Sequence, residues 1–380
     1  MNSTADGSGY FLYHSIGMFP GKEALIAAGL LEYAHLWSVP DDSQWPQALA
    51  IRAQFIEFWR KLINAQPATL TTAENVTTAL YSLIGSLPAR YLEGRRVLVA
   101  ADCFPSLHFL LAGLAERHGF RLDTVPLRPG ECWVREENFI ERWTADVGVA
   151  LVTQVTSTAS YRCDLPMLVA HGRRLGSLVG VDVTQGIGLI PYDAQAPEAD
   201  FTVSTSLKWL SGTAGAGILH VRAALLRECQ PLLRGWFSQD NPFSWDLNAF
   251  SYASDVRRFD HGTPSVVACA GTLPALEWHA KQDARKMLAH NRTLTAAIVE
   301  GADELGLALV SPRDEARRGG SVMLNVPASA DPAMIVDSLR AAGVYTDSRG
   351  ATLRLSPGIV TTADGCERLL GALRRLLRTR

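Results

Sequence analysis

A doubly wound, mostly parallel α/β sheet joined to a smaller α+β domain is the fold class this sequence predicts, and three observations predict it. Short apolar runs alternate with segments of helical period from Arg96 to Val181, as in successive βαβ units. The chain has 380 residues, enough for one large domain and a smaller one. At 47% hydrophobic and 19% charged, its composition is that of an ordinary globular protein.

The elements follow in order. Residues 1–9 are small and polar and are expected to be disordered. Tyr10 to Gly17 alternate apolar and polar residues before Pro20-Gly21, which reads as an extended arm and turn. An amphipathic helix is expected from Lys22 to Trp37, a loop over 40–46, and a second helix from Gln47 to Asn64 with Ile51, Phe55, Phe58, Trp59 and Leu62 on one period. Both read as core and dimer surface. Leu70 to Asn75 is a polar turn leading into a helix through Val76, Leu80, Leu83 and Ile84. Arg96 to Ala101 reads as a buried parallel strand, followed by helix 106–118, strand 121–125, helix 136–143, strand 147–153, helix 164–175 and strand 177–181. Helices 265–282 and 284–305 lead into strands 307–310, 320–326, one near 344–347 and 352–355, with helices 332–342 and 363–378. The expected division is an arm and helix over 1–45, a large domain over 46–262 and a small domain over 263–380.

Composition excludes several function classes. A formal charge of −2 leaves no basic stripe for nucleic acid. The six cysteines form no C-x-x-C pair, which argues against a zinc site and a disulfide framework and suits a reducing cytoplasm. No apolar run reaches the ~18 to 20 residues of a membrane span, and the amino terminus lacks the pattern of an export signal.

The chemistry centres on Val181 to Val221. The strand before it delivers Asp182 at its carboxyl end, and Lys208 follows in the same stretch, with Gly212, Gly215 and Gly217 allowing close backbone approach beyond it. Taken singly, these are a strand-end acid and a solvated lysine. Held together, a carboxylate and an amine are what pyridoxal phosphate requires: the amine condenses with its aldehyde, and the carboxylate keeps its ring nitrogen protonated. The helix amino terminus at Asn75, Val76 and Thr77 offers unpaired N–H groups to a phosphate.

Asp182 with Gln185, Ala199-Asp200-Phe201, and Ser206 to Leu210 followed by Gly215-Ala216-Gly217 together resemble the class V aminotransferase superfamily of fold-type-I pyridoxal-phosphate enzymes. The resemblance runs from about Tyr10 to Leu377. It implies cofactor phosphate at Asn75, Val76 and Thr77, and Phe104 stacked on the ring. It further implies Thr156 or Ser157 on the phenolic oxygen, Asp182 on the ring nitrogen, Gln185 near the imine, Lys208 as the attachment point, and the hydroxyls of Thr205 and Ser206 on the phosphate. Trp236 and Thr263 would reach across a homodimer, and Arg354, with Arg349 as substitute, would hold the substrate α-carboxylate.

Within the superfamily, the arm carrying His14 and Ser15, Phe104-Pro105 and the Gly235-Trp236 stretch are similar to kynureninases, so His14 and Ser15 are candidate substrate contacts. Leu107 and Leu207 stand where that family has Asp and Tyr, and Val155-Thr156-Ser157 with Gln185 resembles isopenicillin N epimerase. The expected activity is kynureninase-like carbon–carbon hydrolysis or related lyase chemistry on an α-amino acid, with transamination or epimerisation of an unusual amino acid as the alternative. Cysteine desulfuration is disfavoured because Ser311 to Leu353 contains no Cys. A cofactor-binding regulator or degenerate relative would retain the fold without the chemistry.

Overall fold

The computed structural model describes residues 7–378. After the arm come helices α1 (Lys22–Trp37) and α2 (Gln44–Leu62), then β1 (Leu70–Ala73), α3 (Val76–Ile84), β2 (Arg96–Ala100), α4 (Pro105–His118), β3 (Arg121–Val125), α5 (Glu136–Arg142), β4 (Val147–Thr153), α6 (Leu165–Leu175), β5 (Leu178–Asp182), β6 (Phe201–Thr205), β7 (Gly217–Val221) and the short α7 (Ala223–Leu226). The seven strands form one sheet in the order β1-β7-β6-β5-β4-β2-β3, with β7 antiparallel to both its neighbours and the other pairs parallel.

The strands are buried on both faces, as a covered parallel sheet requires. Alternation along β2 sends Val97 and Val99 into the core beneath α3 and α4, and Leu98 and Ala100 into the opposite core beneath α2 and α6. Gly180 has a steric reason to be glycine, because a Cβ there would lie 2.0 Å from the Phe201 ring on the next strand. Fully buried Trp59 donates its Nε1–H to Ser206 Oγ at 3.1 Å, tying α2 to the segment that carries Lys208. Trp59→Phe keeps most of the ring but leaves that hydroxyl without its donor, and should cost about 1–2 kcal/mol, measured as a lower urea midpoint with an unchanged m-value.

Leu70 to Ala73 is a strand rather than a polar turn. β-branched Thr71 and Thr72 suit pairing with β7, and the Thr71 hydroxyl is consumed by Asp260 at 2.5 Å. Asp260 also accepts from Arg52 at 2.7 Å, so α2, β1 and the chain near 260 are joined by a buried ion pair.

Helices α8 (Val266–Ala280) and α9 (Ala284–Glu304) precede the second sheet, built from β8 (Ala308–Leu309), β9 (Val322–Asn325), β10 (Asp347–Arg349) and β11 (Thr352–Leu355) in the antiparallel order β10-β11-β9-β8, with α10 (Pro332–Ala341) and α11 (Ala363–Arg378). Helix α8 buries Ala268, Cys269, Leu273 and Leu276 in the large-sheet core, whereas α9 sends Leu294, Ile298 and Ala302 into the core of the second sheet. The packing therefore changes between α8 and α9, later than the division expected at 262/263.

The arm belongs to the second sheet's surroundings. Phe11 is fully buried in that core, and Tyr10 and Leu12 bridge to Tyr345 and Ser356. The disorder expected over residues 1–9 falls outside the described residues for 1–6. It does not hold beyond them, because Ser8 and Gly9 are buried and their carbonyls accept from Thr362 and Tyr345. Among the described residues, no helix is long and apolar enough to cross a membrane.

Candidate active site

The carboxyl ends of the parallel strands open on a cavity of about 670 Å³ between the large sheet, the arm and the β10–β11 hairpin. Ligands bind at such strand ends in open α/β sheets. The cavity gathers His14, Ser15, Asn75, Val76, Thr77, Phe104, Ser157, Asp182, Gln185, Thr205, Lys208, Arg349 and Arg354, residues drawn from across the chain.

Strand β5 ends at Asp182, which lies 5% exposed and opposite Thr153 in the β4 register. Burial pushes its carboxyl up, while hydrogen bonding from Thr184, including the amide at 2.9 Å, and the Lys208 charge pull it down. Lys208 follows β6. Burial, joined by the charges of Arg354 and Arg349, brings its amine down to about 8 against the opposing pull of Asp182. Its Nζ stands 5.4 Å from the Phe104 ring centroid, so that ring forms one wall of the space around the amine. The arm presses on the same segment: Gly17 N–H donates to Leu207 O at 2.9 Å, and a Cβ on Gly17 would come within 1.8 Å of Lys208 O.

A lowered amine is mostly protonated below about pH 8 and mostly neutral above it. Attachment of an aldehyde needs the neutral form. The rate at which apoprotein takes up pyridoxal phosphate should therefore rise about tenfold from pH 7 to pH 9 and then level off, read by stopped-flow absorbance. A rate still climbing steeply at pH 10 would mean that the burial is not felt by the amine.

Helix α3 begins at the far wall. Asn75 caps it by a reciprocal box: its side chain accepts from the Thr78 amide at 3.0 Å, and its own N–H donates to the Thr78 hydroxyl at 3.2 Å. The capping box uses those two amides and leaves Val76 and Thr77, whose N–H groups have no acceptor within the helix, beside the cavity. Thr153 Oγ1, also in the lining, is buried without a hydrogen-bond partner. Free amides, an orphaned hydroxyl, an aromatic wall and the Lys208/Asp182 pair fit an aromatic phosphate carrying an aldehyde.

Four expected residues stand outside this cavity. The Thr156 hydroxyl accepts from the Tyr161 amide at 3.0 Å inside its own turn, leaving Ser157 at the lining. Ser206 is fully buried and spends its hydroxyl on Ala216 O at 2.6 Å and on Trp59, so it has no capacity for a phosphate. Trp236 packs edge-on against Trp45, Phe237 and Phe243. Thr263 lines a separate cavity of about 730 Å³ with Tyr81, Asp260 and Gly262.

The carboxylate end also differs from expectation. Arg354 is 7% exposed, and its Nε donates to Asp347 Oδ1 at 2.8 Å while Nη2 donates to Oδ2. His14 is engaged through both ring nitrogens, with Ser356 Oγ at 2.7 Å and Asp347 Oδ1 at 3.0 Å, which leaves it no ring nitrogen for a substrate. Arg349 lines the cavity with no side-chain partner recorded among the described residues.

Sequence reasoning missed Thr153, Thr184 and Asp347. The first could have been found as the last residue of a parallel strand, and the second from its place two residues after Asp182, where a side-chain turn forms. Asp347 had no signal short of the hairpin register that sets it opposite Arg354.

Comparison with known proteins bears on this geometry. The chain is 26% identical over 310 residues to a kynureninase of Geobacillus thermodenitrificans, covering 78% of this chain and 71% of that one. It is 26% identical over 355 residues to an isopenicillin N epimerase of Streptomyces clavuligerus, covering 90% and 88%. A cysteine desulfurase from Thermococcus onnurineus has the same fold, with a TM-score of 0.86 at 18% identity over 98% of this chain and 95% of that one. The aminotransferase class-V family model matches residues 47–357, and the chain belongs to that family of pyridoxal-5'-phosphate-dependent enzymes.

Proposed function

We propose that the protein acts on an α-amino acid by kynureninase-like cleavage of a carbon–carbon bond or related lyase chemistry. The observation that carries an amino-acid substrate is the convergence of Lys208, Asp182 and Arg354 on one cavity. When bound, pyridoxal phosphate supplies an electron-withdrawing ring that accepts the electron pair left when a bond to the substrate α-carbon breaks. Lys208 holds the cofactor and, once its amine is free, carries a proton to or from the α-carbon. Asp182 pairs with the ring nitrogen, the Val76 and Thr77 amides and the Thr205 hydroxyl hold the phosphate, and Phe104 covers the ring. Arg354 offers a planar, permanently charged fork to the substrate carboxylate. Leu107, Leu207 and Val155 make the remaining wall apolar, which suits an uncharged side chain.

Support for the kynureninase-like reading comes from the arm, which lines the cavity at His14 and Ser15 and is joined to Gln185 by a hydrogen bond from its Nε2 to His14 O at 3.1 Å. Leu107 and Leu207, apolar where kynureninases are polar, favour transamination or epimerisation of an unusual amino acid as the second reading. No cysteine is among the cavity residues, which speaks against desulfuration. A spectrum titrated with L-kynurenine, 3-hydroxykynurenine and plain amino acids, with products read by mass, tests the choice. Release of alanine with an anthranilate-type product supports the lyase; a keto acid or an inverted amino acid supports the alternative.

The reading includes a homodimer. Helix α1 buries none of its residues in the single chain and exposes Leu25, Leu30, Leu31 and Trp37. With Trp236 and Thr263 outside their own chain's cavity, a two-fold pairing is what would bring them to a partner's site. A monomer by light scattering, fully active, would remove that role.

A further inference from the structure

Arg354 is held by an arrangement that neither the family likeness nor its own position explains, and the inference below rests on the reading of Arg354 as the carboxylate clamp. Asp347 and Arg354 are direct cross-strand partners on the β10–β11 hairpin. The carboxylate takes the Nε edge of the guanidinium, through Nε at 2.8 Å and through Nη2. An arginine has two edges able to meet a carboxylate bidentately, and only one can be offered to a ligand while the other is engaged. No hydrogen bond of Nη1 is recorded among the described residues, and Arg354 lines the cavity whereas Asp347 does not. The Asp347 carboxylate thus engages the Nε edge and leaves the Nη1 edge of a cavity-lining guanidinium without a protein partner among the described residues.

Asp347 is itself fixed from a third segment. His14, carried in by the arm, stands 3.0 Å from Oδ1 through Nε2 and 2.7 Å from the Ser356 hydroxyl through Nδ1, and Ser356 continues to Ser321 at 2.6 Å. In the arrangement that satisfies all four groups, Ser321 donates to Ser356, Ser356 to Nδ1, and Nε2–H to Asp347. Burial lowers His14, favouring the neutral ring that this relay needs. Burial alone would raise Asp347, but the hydrogen bonds from His14 and Arg354 hold it at about 2, so it remains an anion. The backbone is pinned too, since the Thr346 hydroxyl donates to Arg354 O at 2.5 Å.

We propose that Asp347, oriented by His14, is a positioning residue that occupies the Nε edge of Arg354 and thereby presents the Nη1 edge to the substrate α-carboxylate. The cavity end then carries Arg354 and Arg349 against one carboxylate, an excess of one positive charge that suits a ligand bringing a single carboxylate. The arm's contribution is indirect: His14 holds the residue that aims the clamp, and its carbonyl accepts from Gln185.

The test uses the holoenzyme and two probes differing only by the carboxylate, L-alanine and ethylamine. Each displaces the Lys208 amine and so changes the visible spectrum, and the ratio of their dissociation constants reads the clamp without requiring turnover. The wild type should favour L-alanine by roughly a hundredfold, the scale of a buried bidentate pair. Asp347→Asn should shrink that ratio about tenfold while leaving the ethylamine constant and the resting spectrum unchanged. His14→Phe, which keeps a ring but removes both nitrogens, should shrink it in the same direction and serves if Asp347→Asn does not fold. An unchanged or larger ratio in these variants would overturn the proposal, the larger ratio meaning that Asp347 competes with the substrate. Arg354→Ala is the control: if it leaves the wild-type preference intact, the clamp is elsewhere, a failure distinguished from loss of positioning alone by that variant.

Discussion

Lys208→Ala should yield a folded protein that binds pyridoxal phosphate without a covalent bond and whose turnover falls by at least about a thousandfold. The size of the effect follows from the absence of a substitute. Among the residues lining the cavity, Lys208 is the only lysine, and Arg349 and Arg354 stay charged and cannot attack an aldehyde. Lys22, at the start of α1, gives its Nζ to Gly17 O at 2.6 Å and is not among the lining residues. The phosphate contacts at Val76, Thr77 and Thr205 do not depend on the amine, so affinity for the cofactor should fall much less than turnover. Borohydride reduction followed by peptide mass analysis checks the first claim: the wild type should carry the label at Lys208, and the variant nowhere. A reduced adduct on another residue would move the centre of the site.

What the sequence could and could not reveal about this site follows from which interactions are local. Asp182, Phe104 and Lys208 lie at or a few residues beyond the ends of short, continuous apolar strands, and such ends are visible in one dimension because the apolar run stops there. The amides at Val76 and Thr77 were visible through a capping residue for the same reason. Strand β1 was not, because its pairing with β7 is long-range and its two threonines read as a turn when taken alone. The hydroxyls of Thr156 and Ser206 had the right chemistry, but one is consumed by its own turn and the other by Trp59 and Ala216, partners that only the packed structure supplies. His14 looked like a substrate contact from the arm's position; its engagement by Ser356 and Asp347 depends on how the arm lies along the second sheet, which no local pattern encodes. The place where the core changes was hidden for a related reason. A turn at Thr263 marks a change of direction in the chain, whereas the change of core occurs only after α8.

Asp182→Asn should leave the cofactor attached to Lys208 and reduce turnover by two to three powers of ten, about 3 to 4 kcal/mol in the barrier. The amide matches the carboxylate in size and can still accept from the Thr184 amide, so the β5 end should keep its shape. What it cannot do is balance a protonated ring nitrogen, and at a position as buried as residue 182 there is little water to do so instead. The same substitution tests the coupling between the two anchor residues. The Asp182 charge works to raise the Lys208 amine, against the burial that brings it to about 8. Removing that charge should lower the amine further, so the rate at which the variant apoprotein takes up pyridoxal phosphate should level off at a lower pH than in the wild type. Loss of turnover with an unmoved uptake profile would mean that Asp182 acts on the ring but is too far from the amine to be felt. A shifted profile with normal turnover would mean that its charge serves the lysine and not the ring. Only the two effects together are what a carboxylate shared between an amine and a pyridine nitrogen requires.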